Sequence, residues 1–428
     1  MNCTNWIEKH ANFVPDRIAL RFLPNPDAPA WEWSYADFAG RVRKLARGLR
    51  QELGIGRGDR IAFLGYNHPD MLALLFACAR LGAILVPLNW RLAPAEHEYI
   101  LCNAGVSAVV CEQDFLKHAE HCQAALPENR WVALGFTQEG WVQFNALLDS
   151  GNGDDANPGI RPETPLLLVY TSGTTGRPKG AVLTQEALFW NALNSVHLHD
   201  FTSQDHVLSV LPHFHVGPLN IQTTPALYVG AEQTLTPKFD PGLVLRLIQE
   251  LRPTLLLFVP VTMQALLQHP DWESTDLSSL RMIVTGSSVV PINLIEGFHQ
   301  RGIPVGQVYG STETCPIAAV LRSNDAFRKI GSTGKPALHC EVRVMDEDKN
   351  EVPDHMPGEL WVRGPNVMRE YWGNAEATAE VFRNGWYRSG DVGYRDEDGF
   401  LFIHDRKRDI IISGGENIYP AEIEGTLN

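Results

Sequence analysis

The sequence lacks several patterns that would assign it to particular classes of protein. No long run of Lys and Arg residues stands out in it, and its net charge is −14. These two features argue against a nucleic-acid-binding surface and against a basic membrane-binding face. Hydrophobic residues make up 44% of the 428 residues and charged residues 20%, as in ordinary globular proteins. Because a chain of this length exceeds the usual size of one hydrophobic core, we expect two or three lobes.

Signal-peptide and membrane-spanning patterns are also missing. The residues that follow Met1 contain no apolar core of signal-peptide length. The most apolar stretch, Met71–Leu88, is interrupted by Arg80 and Gly82. A helix packed on a sheet and then a buried strand explain this stretch better than a membrane span. We therefore predict no integral membrane segment.

Paired cysteines of the zinc-binding or disulfide-rich kind are absent. The seven cysteines are odd in number and scattered, and none forms a Cys-x2-Cys pair. This pattern indicates free thiols in a reducing compartment. Together with the absence of a signal peptide, it predicts a cytoplasmic location.

The most informative stretch is Tyr170–Gly180, which reads Tyr-Thr-Ser-Gly-Thr-Thr-Gly-Arg-Pro-Lys-Gly and follows an apolar strand-like segment. Glycines let the backbone approach a ligand, and successive N–H groups can form an anion site. Hydroxyl groups and the Lys179 ammonium add further donors. These features favour a polyphosphate-binding loop, although its composition alone fits a polar turn equally well. The stretch is not a Walker A motif, since no Gly-Lys-Ser/Thr occurs at the required spacing.

A second group of polar residues follows the predicted strand at Val305–Val308. Tyr309 offers a ring face to a base, and Gly310 permits a close approach of the backbone. Thr312 offers a hydroxyl to phosphate. Glu313 alone could be a solvated loop carboxylate, but Mg²⁺ in proteins is usually held by one or two carboxylates together with phosphate oxygens and water. Beside a phosphate loop, Glu313 is therefore a candidate magnesium ligand.

Two histidines follow the predicted strand that begins at Val207. His213 and His215 have the spacing of a metal-binding pair, but no cysteine or acidic residue lies nearby in the sequence. This argues against a metal site.

The order of the predicted elements indicates the fold class. Strand-like and helix-like segments alternate through the first third of the chain, which favours a parallel α/β sheet. Gly151–Pro165 is rich in Gly, Asp, Asn and Pro and reads as a surface linker. From Gly331 onward, short strand-like segments separated by turns predict a small β subdomain.

Taken together, these stretches resemble the adenylate-forming superfamily, which includes acyl-CoA synthetases, luciferases and the adenylation domains of peptide synthetases. The resemblance covers essentially the whole chain. The stretches that carry it are Tyr170–Gly180, Val207–Gly217, Gly286–Pro291, Val305–Thr314, Trp386–Asp391 and Asp405–Pro420. This sequence departs from the family pattern at His213, Pro218, Ser287, Ser288 and Ser389.

The resemblance implies an α/β fold, the large domain of an acyl-CoA synthetase, with two α/β subdomains and a small β subdomain. The expected boundaries are 1–164 and 165–330 for the α/β subdomains, 331–405 for the β subdomain, and 406–428 for a hinge and the start of a C-terminal domain. Family members continue through that domain, which carries a lysine used in adenylation. We expect this 428-residue chain to bind ATP but to adenylate poorly.

The implied function is ATP-dependent activation of a fatty or aryl carboxylic acid to acyl-AMP and then to acyl-CoA. The cofactors would be ATP and Mg²⁺, with CoA as a substrate, and a homodimer is possible. Amino-acid-activating relatives carry an aspartate near the position of His215, and this sequence has none there. Two alternatives remain open, namely an adenylating enzyme with an acceptor other than CoA, and a nucleotide- or acyl-binding module without turnover.

The resemblance also implies roles for individual residues. The catalytic set is Thr171, Lys179, His215 and Glu313, and the metal ligands are Glu313 and Thr171. The ATP- and AMP-binding set is Thr171, Ser172, Gly173, Thr174, Thr175, Gly176, Lys179, Gly286, Ser287, Ser288, Tyr309, Gly310, Ser311, Thr312, Asp391 and Arg406. The acyl-pocket set is His215, Val216, Gly217, Phe258, Met263, Gly310 and Cys315. Arg408 would be the hinge, and Gly414 and Gly415 would border the CoA channel.

Overall fold

The computed structural model describes residues 3–25, 29–149, 159–171, 177–286, 289–406, 411–413 and 416–418. For Thr4, Arg406 and the last two segments it describes the backbone alone. The helices of these residues are α1 (Trp6–Phe13), α2 (Tyr35–Leu53), α3 (Pro69–Leu81), α4 (Pro94–Ala104), α5 (Leu116–Ala125), α6 (Phe144–Asp149), α7 (Gln185–His199), α8 (Val216–Pro218), α9 (Thr224–Val229), α10 (Pro241–Leu251), α11 (Pro260–Leu267), α12 (Ile292–His299), α13 (Ser323–Ala326) and α14 (Ala375–Val381).

The strands of the same residues are numbered in chain order. They are β1 (Ile18–Phe22), β2 (Trp31–Ser34), β3 (Arg60–Leu64), β4 (Ile84–Pro87), β5 (Ala108–Glu112), β6 (Arg130–Leu134), β7 (Val142–Gln143), β8 (Pro165–Thr171), β9 (Lys179–Thr184), β10 (His206–Ser209), β11 (Glu232–Leu235), β12 (Leu255–Phe258), β13 (Met282–Gly286), β14 (Val305–Tyr309), β15 (Ala319–Leu321), β16 (Lys335–Pro336), β17 (Glu341–Met345), β18 (Gly358–Arg363), β19 (Glu370–Tyr371), β20 (Phe382–Arg383), β21 (Trp386–Arg395), β22 (Leu401–Arg406), β23 (Ile411–Ser413) and β24 (Glu416–Ile418).

Two large, mostly parallel sheets form the body of the described chain. Sheet A has the strand order β16-β15-β14-β13-β12-β10-β11-β1-β2. Sheet B has the order β19-β9-β8-β4-β3-β5-β6-β7. Parallel strands of this kind are covered by helices on their faces, which explains the continuously apolar sequences of strands such as β4 and β12.

Each of the two sheets contains strands from both sides of residue 164 in the sequence. β1 and β2 come from the start of the chain but complete sheet A, in which β1 pairs in parallel with β11. β8 and β9 follow residue 164 but belong to sheet B, in which β8 pairs with β4. The subdomain boundaries expected from the sequence stay a prediction.

A third, antiparallel sheet lies in the last part of the chain. Sheet C consists of β17, β18, β21 and β20, with β22 paired to β21. Its strands are separated by turns, as the sequence predicted, but β21 is longer than expected, with 10 residues. β19 lies within this part of the sequence but joins sheet B, where it pairs antiparallel with β9.

Local sequence signals set the ends of the main helices. The Ser34 side chain accepts a hydrogen bond from the Asp37 N–H, and the Asp37 carboxylate accepts one from the Ser34 N–H, so α2 begins with a capping box. α2 ends at Leu53 and is followed by Gly54, whose φ of 69° favours glycine. The Thr184 hydroxyl accepts a hydrogen bond from the Ala187 N–H and starts α7 directly after β9.

Helix α3 explains the most apolar stretch of the sequence. Every residue of α3 except Arg80 is buried, and α3 belongs to a core that also includes side chains of sheets A and B. Among the described residues, no helix combines the length and the apolar character needed to cross a membrane.

This packing makes a stability prediction. Leu72 on α3 is fully buried, so Leu72→Ala should leave a cavity and lower the free energy of unfolding by about 2–5 kcal/mol. Val261 on α11 is 68% exposed, and Val261→Ala is the control, with an expected change within about 0.5 kcal/mol. Urea unfolding followed by circular dichroism measures both changes. Equal midpoints for the two variants would contradict the burial of α3.

Candidate functional site

The predicted phosphate loop connects two antiparallel strands of sheet B. Thr171 ends β8 and pairs with Lys179, the first residue of β9. The Thr171 hydroxyl lies 3.5 Å from the Lys179 carbonyl oxygen. Lys179 therefore stands at the loop end of a hairpin, beside the residues expected to bind phosphate. Those residues lie outside the described ones: Ser172, Gly173, Thr174, Thr175 and Gly176.

The second polar group lies at the end of a sheet A strand. Tyr309 ends β14, and Gly310 follows with a φ of 155°. A Cβ at Gly310 would meet the Pro316 carbonyl oxygen at 1.6 Å, so only glycine fits this position. A single 3-10 turn, Thr312–Thr314, comes next and carries Glu313. The Ser311 N–H donates to the Thr314 hydroxyl (2.9 Å) and helps to fix this turn.

Glu313 is buried and is held by a distant segment of the chain. Its carboxylate accepts a hydrogen bond from the Tyr371 hydroxyl (2.7 Å). Its backbone carbonyl accepts one from the Met368 N–H (2.6 Å). The side chain is therefore only 7% exposed although it comes from a turn.

The predicted ribose ligand lies beside the predicted adenine platform. Asp391 is in β21 of sheet C, and its carboxylate accepts a hydrogen bond from the Tyr309 hydroxyl (2.9 Å). The backbone of Arg406 in β22 lies directly opposite Asp391. Nothing is described for the Arg406 side chain, so its expected contact stays a prediction.

Gly286 joins the same group from the neighbouring strand. It ends β13 next to Val308, one residue before Tyr309. A Cβ at Gly286 would meet the Val308 carbonyl oxygen at 2.6 Å. The structure therefore brings Gly286, Tyr309 and Asp391 together at the carboxyl ends of β13 and β14 in sheet A. Ser287 and Ser288 lie outside the described residues, as do Arg408, Gly414 and Gly415.

Two tyrosines at this site were missed by the sequence reasoning. Tyr371 contacts Glu313, and its ring centroid lies 5.5 Å from the Lys179 ammonium nitrogen. Tyr387 in β21 is 4% exposed. Burial raises the pKa of Tyr387 well above its usual value, and the charge of Glu313 adds to this effect. Tyr387 stands in the motif that contains Asp391, so proximity in sequence could have indicated it.

The turn that carries the two histidines is fixed by a residue of sheet B. Asn67, which follows β3, donates through its side-chain amide to the Leu211 and Thr236 carbonyl oxygens (2.9 and 3.1 Å). Its side-chain oxygen accepts a hydrogen bond from the His213 N–H (2.8 Å). His213 is buried, and its ring nitrogen Nε2 lies 3.1 Å from the Thr223 hydroxyl.

His215 lies in an aromatic environment close to a positive charge. Its ring is 4.2 Å from the Phe214 ring, and Phe214 is 6.2 Å from Trp90 between ring centroids. The Arg91 guanidinium lies over both Trp90 and Phe214. His215 is exposed, but partial desolvation by its neighbours lowers the pKa of its imidazole below the usual value, and the charge of Arg91 contributes. The imidazole is therefore neutral at pH 7.

The predicted acyl-pocket residues fall into two groups. Val216 and Gly217 begin a helical stretch that continues through a π-helical turn, Leu219–Thr223, into α9. Asn220 of that turn donates to the Cys315 sulfur (3.6 Å), so the stretch adjoins the segment after Glu313. Phe258 and Met263 are fully buried in the hydrophobic core of sheet A, where Phe258 packs near Phe298. No described contact joins these two side chains to His215, and their role as pocket walls stays a prediction.

The described residues suit a metal ion that binds together with the phosphates of a nucleotide. Among them, no three His, Cys, Asp or Glu side chains form a group that could hold a metal ion. A single buried carboxylate at Glu313, with hydroxyls nearby in the sequence, fits Mg²⁺, which usually keeps water and phosphate oxygens as its other ligands.

Comparison with known proteins adds independent findings. The model of a family described as AMP-binding enzyme matches residues 7–372. The chain is 48% identical over 428 residues to the indoleacetate–CoA ligase of Aromatoleum aromaticum, covering 100% of this chain and 82% of that protein. It is 42% identical over 423 residues to a feruloyl-CoA synthase of an Amycolatopsis species, covering 99% of this chain and 82% of that protein.

Solved structures give the same result for the fold. The crystal structure of the anthranilate CoA ligase AuaEII in complex with anthranoyl-AMP matches with a TM-score of 0.91 and 27% identity, over 100% of this chain and 82% of that one. The Bacillus subtilis o-succinylbenzoate CoA synthetase MenE, in complex with ATP and magnesium ion, matches with a TM-score of 0.85 and 32% identity, over 99% and 84%. The predicted α/β fold with a small β subdomain is confirmed.

The environment of His215 makes a prediction about pH. Because partial desolvation and the charge of Arg91 lower its pKa, the imidazole should be neutral at pH 7 and should titrate below its usual value of 6.5. A histidine-selective NMR titration measures this, with the His215→Gln variant identifying the resonance. Removing the nearby charge with Arg91→Gln should raise the pKa, since a cation disfavours the imidazolium. A midpoint at or above 6.5 in the unaltered protein would contradict the desolvation argument.

Proposed function

We propose roles for the residues of this site on the premise that the chain belongs to the AMP-binding enzyme family, whose model matches residues 7–372. It is an AMP-forming acid–CoA ligase, and the predicted ATP-dependent activation of an acid to acyl-CoA is confirmed by relatives up to 48% identical over the full chain. The observation that carries the residue roles is the convergence of the β8–β9 hairpin, Glu313 and the Tyr309–Asp391 pair.

The reaction has two steps. An oxygen of the substrate carboxylate first forms a bond to the α-phosphorus of ATP, the bond to the bridging oxygen breaks, and pyrophosphate leaves. The sulfur of CoA then forms a bond to the acyl carbon, AMP leaves with the carboxylate oxygen, and the thiol proton is released. Both steps require positioning and electrostatic stabilisation more than a covalent protein nucleophile.

The nucleotide is assigned to the carboxyl ends of β13 and β14 in sheet A and to the β8–β9 hairpin of sheet B. Lys179, at the loop end of the hairpin, binds the β- and γ-phosphates with the loop residues 172–176. The backbone at Gly286 and Gly310 lies against adenine, which stacks on Tyr309. Asp391 binds the ribose hydroxyls, as the position of its carboxylate next to Tyr309 supports. Ser287, Ser288 and Thr312 complete the nucleotide contacts.

Glu313 and Thr171 are assigned to Mg²⁺. A bound Mg²⁺ neutralises phosphate charge as pyrophosphate develops. The related MenE structure contains ATP and magnesium ion, which supports this assignment by similarity. The Glu313 carboxylate supplies one ligand from a buried position, and the Thr171 hydroxyl ends the strand that leads into the phosphate loop.

An aryl acid is the proposed substrate. The two curated relatives compared above are ligases for indoleacetate and for a feruloyl group, at 48% and 42% identity. The aromatic side chains Phe214 and Trp90 lie near His215, where a planar ring would pack favourably. The neutral imidazole of His215 can donate one N–H to the substrate carboxylate. Val216, Gly217 and Cys315 would line the ring, with Phe258 and Met263 deeper in sheet A.

The residues of the hinge and of the CoA channel are proposed from the family resemblance alone. Arg406 would contact ribose or phosphate, Arg408 would be the pivot, and Gly414 and Gly415 would border the channel. A homodimer and a cytoplasmic location likewise stay proposals.

A substrate panel tests the reaction and the acid together. We expect indole-3-acetate and ferulate to give acyl-AMP and acyl-CoA, with kcat/KM at least about 10-fold above that for palmitate. Chromatography of quenched reactions, with and without CoA, measures the two products separately in the complete protein. Preference for palmitate would refute the aryl assignment. Acyl-AMP without acyl-CoA would indicate another acceptor, and ATP binding without either product would indicate a binding module.

A substitution tests the metal assignment. Glu313→Gln keeps the shape of the side chain but removes its charge, so ATP affinity in the presence of Mg²⁺ should fall by about 10-fold or more. Calorimetry across a magnesium titration measures this without turnover. Glu8→Gln is the control, because Glu8 pairs with Arg43 and Arg80 on the α1 side of the fold. Unchanged affinity for Glu313→Gln would refute the role.

A further inference from the structure

The segment that contains β19 is docked along strand β9 by a series of backbone contacts. The Arg369 N–H donates to the Val182 carbonyl oxygen (2.9 Å), and the Trp372 N–H donates to the Gly180 carbonyl oxygen (2.7 Å). Tyr371 pairs with Ala181 between them. Lys179 lies two residues before Ala181 in β9, so the position of Tyr371 is fixed relative to Lys179.

The side chain of Tyr371 connects the two parts of the proposed phosphate site. Its hydroxyl donates to Glu313 Oε1 at 2.7 Å, and the Lys179 Nζ atom lies 5.5 Å from its ring centroid. The side chain is 7% exposed, so these contacts are shielded from water. Lys179 belongs to sheet B and Glu313 follows a strand of sheet A, and Tyr371 contacts both.

The turn that carries Glu313 is fixed by the same distant segment. The Met368 N–H donates to the Glu313 carbonyl oxygen. The side-chain amide of Asn366 donates to the Thr314 and Ile317 carbonyl oxygens (2.6 and 2.8 Å). Asn366 is fully buried, so these bonds are protected from competition with water. The backbone at Glu313 and in the residues that follow it is thereby held in place.

We propose that Tyr371 is a positioning residue that orients the Glu313 carboxylate toward Mg²⁺ and sets its distance from Lys179. A phenol donates one proton to one carboxylate oxygen and leaves the second oxygen for the metal. Partners of this kind orient metal-binding carboxylates, and their loss typically lowers metal affinity by about 10–100-fold. The inference rests on the proposed metal role of Glu313.

The decisive variant is Tyr371→Phe, which removes only the hydroxyl and keeps the ring over Lys179. ATP affinity measured by calorimetry should fall about 10-fold in Mg²⁺ and should change little in EDTA. A higher concentration of Mg²⁺ should restore the affinity, since the defect lies in metal binding. In turnover, the Mg²⁺ concentration that gives half-maximal rate should rise by a similar factor.

A matched control removes a buried tyrosine hydroxyl elsewhere. Tyr35 is fully buried, and its hydroxyl donates to the Ala231 carbonyl oxygen at 2.8 Å. Tyr35→Phe should lower the thermal unfolding temperature as Tyr371→Phe does, without changing the magnesium dependence. If Tyr371→Phe lowers ATP affinity equally with and without Mg²⁺, Tyr371 acts on the fold alone and the inference is wrong.

A double-mutant cycle with Glu313→Gln separates this inference from the proposed function. If Tyr371 acts through Glu313, adding Tyr371→Phe to Glu313→Gln should change MgATP affinity by less than about 2-fold. Full additivity of the two losses would overturn the inference. If Glu313→Gln weakens binding and Tyr371→Phe alone does not, only the role of Tyr371 fails. If Glu313→Gln itself has no effect, the metal role fails first and the inference with it.

Discussion

A buried carboxylate is costly unless its oxygens are hydrogen-bonded or paired, and Glu313 imposes that constraint on this fold. The turn after β14 places it in the interior, where water cannot solvate it. The segment 366–371 supplies the Tyr371 hydroxyl to the side chain and the Met368 N–H to the backbone. That segment is also paired with β9. The contacts that stabilise the Glu313 carboxylate therefore also join sheet A to the β8–β9 hairpin of sheet B.

The parts of the site that sequence could predict are those that depend on local chemistry. Gly310 is required by a φ of 155° and by the close Pro316 carbonyl, and its place after a strand was legible from residue types alone. The alternation of strands and helices predicted for the first third of the chain is present from β3 to α5. The fold class and the ligase activity followed from the resemblance, which the comparisons confirm.

The parts that sequence could not predict depend on contacts between distant segments. β19 has only two residues, too few for any periodicity, and its partner β9 lies far earlier in the chain. Tyr371 therefore gave no sign of its contact with Glu313. The same limit applies to Phe258 and Met263, because an apolar residue gives the same sequence pattern whether its side chain lines a pocket or fills a core. The structure places both in the core of sheet A.

The exchange of strands between the two sheets has a consequence for the order in which the protein folds during synthesis. β1 leaves the ribosome early, yet its parallel partner β11 is made only after all of sheet B except β19. Until then one of the two hydrogen-bonding edges of β1 remains unpaired. Such long-range parallel pairing is slow to form and exposes aggregation-prone intermediates. Nascent chains of this architecture should therefore depend on chaperones most strongly before residue 232 is made.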